Sequence, residues 1–322
     1  MTTFRPALLA ASLLALGVSI APAHAQLART FVSSFGSDAN DCNRLTPCRT
    51  FQRAHDNTLA AGEITVLDPG GYGSVTITKG ISIINDGVGE AGVLVSGGGN
   101  GITVNISGAG AVSLRGLTVK GIGFGGGNGI VLSNGLSLTI ENCAIRTLTG
   151  SGAIGYGIKI EPTGLSDLAI LNTIISNNMQ WGVSIVPIGA GTVVATLSRV
   201  QLLNNNQDGL LIASGVAGAT GPINAVAEDS LAARNSLAGF NVASFGPQAS
   251  LMLIRSVIAH NITGVQVGVG AAATLRVGQS SLTGNQTSWA VSSGAVLQSY
   301  GDNNINGNGD GDPAIPTVIA KK

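Results

Sequence analysis

The sequence predicts an all-β solenoid: about ten similar coils of three short strands each, closed at the N-terminal end by a short helical cap. Three observations carry this. Asparagine recurs at Asn178, Asn205, Asn235, Asn261, Asn285 and Asn308, at spacings of 27, 30, 26, 24 and 23 residues. A period in the twenties with several short strands per repeat belongs to a stacked-repeat architecture. Between these asparagines apolar residues alternate (Leu168, Ile170; Leu251, Leu253; Leu275, Val277), which is the period of a half-buried strand and not of a helix. Finally, glycine makes up 48 of 322 residues and charged residues only 10%, about double and less than half of average usage respectively. Such a chain has many tight turns and a sparsely charged surface.

Composition also excludes several function classes. Sixteen basic residues balance 16 acidic ones, so no basic face is available to neutralise nucleic-acid phosphates. An apolar content of 44% excludes ordinary disorder, and an aromatic content of 4% argues against a core built on large rings.

Residues 1–25 read as an export signal: Arg5, an apolar stretch from Ala7 to Ile20, Pro22, then Ala23-His24-Ala25 as a small-x-small cleavage site that leaves Gln26 first. The stretch is shorter than the ~20 residues a membrane span requires, and no span is expected in the mature chain. The expected location is therefore secreted or periplasmic, where disulfides are possible. Cys42 and Cys48 are close enough to close a small loop, and a disulfide is preferred to a metal site, which would need further ligands. Cys143, in an alternating apolar run, reads as a buried inert thiol.

Residues 26–62 are the expected cap. Thr46-Pro47 reads as an N-cap and first helical residue, with the helix running to about Ala60 and Gly62 ending it. Phe51, Ala54 and Leu59 would then cover the first coil and His55 would lie on the surface. Residues 63–310 are the coil, with a turn at Pro69–Gly73, and residues 311–322 a tail.

Aligning the repeats on asparagine brings like residues into vertical columns. Ile170, Leu197, Ala227, Leu253 and Val277 form an aliphatic interior stack. Cys143, Thr173, Val200, Ser230, Ser256 and Ser280 form a column of small residues at a bend. The asparagines would make an amide ladder, each side chain bonding the next, and glycine serves where backbones approach closely.

With these two columns the chain resembles the right-handed parallel β-helix proteins of the pectate-lyase-like superfamily over about three quarters of its length. Gly36–Asn40 and Pro47–Phe51 resemble the opening segment of secreted bacterial members. The resemblance implies a right-handed rod with turns ~4.8 Å apart, roughly 48 Å long. It also implies a groove along one sheet, where members of the superfamily cleave polysaccharides. Of the polygalacturonase-like motifs only Asn-x-Asp occurs, at Asn206–Asp208 and Asn308–Asp310; Asp-Asp, Gly-His-Gly and Arg-x-Lys do not. No catalytic residue is carried over.

The register offers its own constellation. Six positions before the ladder stand Asn172, Arg199, Asp229, Arg255, Gln279 and Asp302; one position before it stand Asn177, Asn204, Arg234 and His260. With Glu228, these gather Arg199, Asp229, Arg234, Arg255 and His260 along one or two edges. They form either an ion-pair ladder or a site with Glu228 or Asp229 as acid and His260 as base. Trp181 and Trp289, read as corresponding rim positions, are the candidate sugar-stacking platforms. Asp302, Asn304, Asn306 and Gly307 match the first half of a calcium loop, but Pro313 stands where its bidentate Glu belongs. That run reads instead as a last coil extending the ladder, so neither a metal nor another cofactor is expected.

The expected function is an interaction or structural module at the cell envelope that binds polysaccharide or cell-surface glycan. The alternatives are a polysaccharide lyase or glycoside hydrolase with a non-standard catalytic set, and a purely structural rod.

Overall fold

The computed structural model describes residues 26–321 apart from 124, 125, 151, 153 and 293; the expected export signal over residues 1–25 lies outside them. The chain visits three sheets in rotation. The first has twelve strands, from Leu27–Val32 to Thr317–Val318; the second has ten, from Gly70–Gly71 to Asn304–Ile305; the third has nine, from Val75–Ile77 to Thr287–Val291. Each strand pairs in parallel with its counterpart one turn away, as Ile170 does with Leu197 and Val183 with Leu210. The result is an all-β parallel solenoid of about nine complete turns, close to the ten expected. Among the described residues no helix is long and apolar enough to cross a membrane.

Alternation decides which side chains go inside. Ile170, Leu197, Ala227, Leu253 and Val277 are each fully buried and stacked. Filling the interior with Ile, Leu and Val contributes roughly 1.5–3 kcal/mol per fully buried side chain.

Two sharp bends make the coil narrow. Between the first and second sheets, Asn142, Asn172, Arg199, Asp229, Arg255 and Gln279 all have φ between 46° and 53°. After the second sheet, Thr147, Asn177, Asn204, Arg234 and His260 have φ between 53° and 60°. One left-handed residue turns the chain without a loop; Asn and Asp tolerate it best, and larger residues adopt it at some cost. The charged columns singled out in the sequence are therefore these two bends.

Gly182 and Gly209 have another task. A Cβ on Gly182 would meet the Gly209 carbonyl oxygen at 2.6 Å, and one on Gly209 would meet that of Gly239 at 2.6 Å. The coils come too close there for a side chain.

The N-terminal cap departs from expectation. Its helix is Phe51–Asn57, capped by Thr50, whose Oγ1 accepts from Arg53 N at 3.2 Å. It cannot begin at Thr46-Pro47, because Cys48 is held extended beside Val32 and its N–H donates to the Phe31 carbonyl at 3.0 Å. The helix stops before residue 60 because Thr58–Val66 is a strand of the first sheet. Phe51 and Ala54 are buried over the coil, but Leu59 is exposed. His55, expected at the surface, is buried: its Nε2 accepts from Thr78 N at 3.2 Å. At the other end, Thr317–Val318 in the tail pairs with Val296–Ser299.

Candidate functional site

The left-handed bends place the charged columns on the outside, and the two columns are different edges. On the first, Arg255 bridges Asp229 (Nε to Oδ1, 2.8 Å) and Glu228 (Nη2 to Oε2, 2.9 Å). The hydrogen bond from Arg255 holds the Asp229 carboxyl below its ordinary range. Arg199 is one turn before Asp229 in the same column, and Arg234 and His260 turn the other bend. Both carboxylates meet the one guanidinium of Arg255, and among the described residues Arg199, Arg234 and His260 form no ion pair.

The asparagine ladder is continuous. Amide nitrogens donate to the next amide oxygen at 3.0 Å from Asn178 to Asn205, Asn205 to Asn235, Asn235 to Asn261 and Asn261 to Asn285, and at 2.9 Å from Asn285 to Asn308. The last rung ends on Asp312, whose Oδ1 accepts from Asn308 Nδ2 at 2.9 Å and from Asn308 N at 2.7 Å. The small-residue column is a hydroxyl ladder in part: Ser230 N donates to Ser256 Oγ, and Ser256 N to Ser280 Oγ. Cys143, in that column, is buried, and desolvation pushes its thiol up to about 11. Cys42 and Cys48 form a disulfide with Cα atoms 4.6 Å apart. The acidic groups of the run after residue 301 are taken up by the fold: Asp302 accepts from Gln279 N, Asp310 from Ser288 N and Asp312 from Gly307 N.

The two tryptophans are not equivalent. Trp289 pairs with Val265 in the column that continues to Phe240, Leu210 and Val183. It therefore plugs the top of the interior, and its Nε1 donates to the Pro313 carbonyl at 2.9 Å. The last repeat has Ser288 in place of the usual glycine, and counting from Asn285 alone hides this shift. Trp181 stands two positions before Val183, in the column of Asp208, on the outer rim.

Trp181 borders a feature that sequence reasoning missed: a cleft of about 550 Å³ on the outer face of the third sheet. Its floor is the outward row of Lys159, Ser184, Leu211 and Asn241, which pair in register across four consecutive turns. Beside them Ala213 and Ala243 pair, and their short side chains make the surface concave. At the N-terminal edge of these strands Tyr156 and Trp181 stack, ring centroids 5.3 Å apart and planes 21° apart. Lys159 pairs with Glu161 at 2.7 Å. The opposite edge carries Ile188, Val216 and Phe245, all exposed. The alternation of each strand was legible, but which strands faced the same opening depended on the register between turns.

Asp208 anchors the aromatic end. It is buried, and its Oδ2 accepts from Trp181 Nε1 at 3.0 Å and from Asn241 Nδ2 at 3.1 Å, while Oδ1 accepts from Ala238 N at 2.8 Å. Desolvation outweighs these three donors and raises its pKa. Because a carboxylate only accepts, Asn241 must turn its NH₂ toward Asp208. Its Oδ1 is left buried without a hydrogen-bond partner. The arrangement offers an aromatic pair at one edge, with Lys159 Nζ 5.5 Å from the Tyr156 ring centroid, and an apolar rim at the other.

No family model and no curated protein matches the chain. Solved structures do. The crystal structure of pectate lyase Pel9A is 17% identical with a TM-score of 0.56, covering 84% of this chain and 74% of that one. An alginate lyase from Paenibacillus sp. str. FPU-7 is 16% identical with a TM-score of 0.49, over 86% of this chain and 100% of that one. The A-module of a mannuronan C-5 epimerase from Azotobacter vinelandii is 15% identical with a TM-score of 0.46, over 82% and 90%. At such identities the likeness is one of fold: this chain, like pectate lyase Pel9A, is a parallel β-helix.

Proposed function

We propose that this protein is an exported saccharide-binding module that holds a glycan in the cleft on its third sheet. The observation that carries this is the Tyr156–Trp181 pair, stacked at 5.3 Å and held by a buried carboxylate at one end of the cleft. Sugar rings present apolar C–H faces to aromatic rings and hydroxyls to acceptors, and a ligand site joins an apolar lining to a few fixed polar groups. The export reading rests on residues 1–25 and is supported by the Cys42–Cys48 disulfide. Glu228 and Asp229 spend their charge on Arg255 and are not coupled to His260, so nothing in that column favours hydrolysis or elimination.

The test is a panel of polysaccharides scored both for retention of the protein and for new reducing or unsaturated ends. Retention without new ends, weakened at least tenfold in Tyr156→Ala, is the expected result. New ends that disappear in Asp229→Asn would overturn the reading in favour of an enzyme, and retention of the protein by none of the polysaccharides would leave a structural rod.

A further inference from the structure

We infer that the ligand of this cleft is an uncharged saccharide carrying an alkyl or acyl substituent, and not a polyuronate; this rests on the saccharide-binding reading above. Two features of the cleft lead there.

The first is charge. The cationic group lining the cleft is Lys159, and Glu161 neutralises it at 2.7 Å. Beneath the aromatic pair lies a carboxylate, Asp208, with no cation bonded to it among the described residues. A chain of uronate carboxylates would meet a spent lysine and a field of its own sign, and burying an unpaired charge there is unfavourable. An uncharged sugar meets no such penalty.

The second is the division of the cleft into two chemistries. Parallel strands put all their N-terminal ends on one edge and all their C-terminal ends on the other. Tyr156 and Trp181 precede Ile158–Ile160 and Val183–Ile185; Ile188, Val216 and Phe245 follow strands of the same sheet. The column of Trp181, Asp208 and Ala238 is therefore separated from Phe245 by the length of Ala238–Ser244, roughly 23 Å at ~3.3 Å per residue, which is more than one sugar ring spans. Phe245 is 58% exposed, Ile188 44% and Val216 36%. Such residues gathered on one rim mark a contact surface, and a single sugar ring held at Tyr156 and Trp181 has no hydrocarbon left to lay on them. A sugar with a hydrocarbon group seats its ring against the Tyr156–Trp181 pair and runs its chain toward Phe245.

The probes are octyl β-glucoside below its micellar concentration, methyl β-glucoside, 1-octanol and an oligogalacturonate. Binding is read by the fluorescence of Trp181 in a Trp289→Phe background, since the chain has two tryptophans, and by calorimetry. Octyl β-glucoside should bind at least tenfold more tightly than methyl β-glucoside. Phe245→Ser, at an exposed position, should abolish that difference while leaving methyl β-glucoside unchanged. Equal affinity for the two glucosides, or oligogalacturonate binding as tightly as octyl β-glucoside, would overturn the inference and leave the saccharide-binding reading standing. If 1-octanol matches octyl β-glucoside, or if no sugar binds, both fall.

Discussion

Trp181 and Asp208 occupy the same position in consecutive turns, and the indole Nε1 of one donates to the carboxylate Oδ2 of the other at 3.0 Å. This bond between coils sets the angle of the aromatic platform. It also determines what Asn241 can do, because the same carboxylate oxygen claims its NH₂.

Asp208→Asn replaces an acceptor of three N–H groups by a side chain with a single acceptor oxygen and two donors of its own. One of the three donors is then left facing an NH₂. The expected loss is about 1–3 kcal/mol, the range for an unsatisfied buried polar group, read from the denaturant midpoint. Trp181→Phe, which keeps a ring against Tyr156 and removes one donor, should cost no more than this. An Asp208→Asn protein as stable as the parent would show that the carboxylate does not organise the rim.

In the middle of the ladder, Asn235 accepts from Asn205 N and Nδ2 and donates to Asn261 Oδ1 and the Leu202 carbonyl. Asn235→Ala leaves the buried Asn205 N–H without its acceptor and removes one bond each from Asn205 Nδ2, which keeps the Ile175 carbonyl, and from Asn261 Oδ1, which keeps the backbone N–H of residue 235; it should cost about 2–5 kcal/mol. Asp312→Ala, at the exposed end of the ladder, should cost visibly less. The comparison of the two unfolding midpoints checks whether the central rungs matter more than the last.

His55 gives the fold a pH dependence. Burial lowers its pKa below the ordinary 6.5, with Lys79 acting in the same direction and neighbouring Asp56 opposing both. The unfolded chain then binds more protons than the folded one between the two values. The stabilisation is complete above about 6.5, the value in the unfolded chain, and is lost as pH falls through it toward the folded value. His55→Gln can still accept from Thr78 N, and it should flatten the fall in unfolding free energy from pH 7 to pH 5. An unchanged slope would assign that fall to other groups.

At the exposed bend, Arg255→Gln should let the Asp229 carboxyl rise toward its ordinary value, followed by NMR titration, because the hydrogen bond from Arg255 is what lowers it. Thermal stability should barely move, as exposed ion pairs contribute little. A large drop in melting temperature would mean that the column carries more of the fold than its exposure suggests.

How far the sequence reached can be judged residue by residue. Asn205 and Asn235 reveal the period, and Ile170 and Leu197 reveal which face is inside, because a stacked coil repeats one local environment and each turn is written out in the chain. The cap helix was misplaced at Thr46-Pro47 because a good local start signal lost to the strand-like bridge of Cys48 with Val32. Arg199, Asp229 and Arg255 stood out by charge alone. What unites them is a φ near 50°, a backbone property that the two arginines, unlike Asn or Asp, do not announce.

By itself, then, the sequence determined that this chain stacks into a parallel solenoid with an amide ladder and an aliphatic interior. Only the tertiary structure decided that Trp181 looks outward over a cleft while Trp289 seals the interior, and that Tyr156, Asp208, Asn241 and Phe245 meet on one face. The physical reason is register. Side chains on a strand alternate with a period of two, so a shift of one residue between coils exchanges inside for outside. That offset is settled by packing across turns far apart in the chain, not by any single repeat.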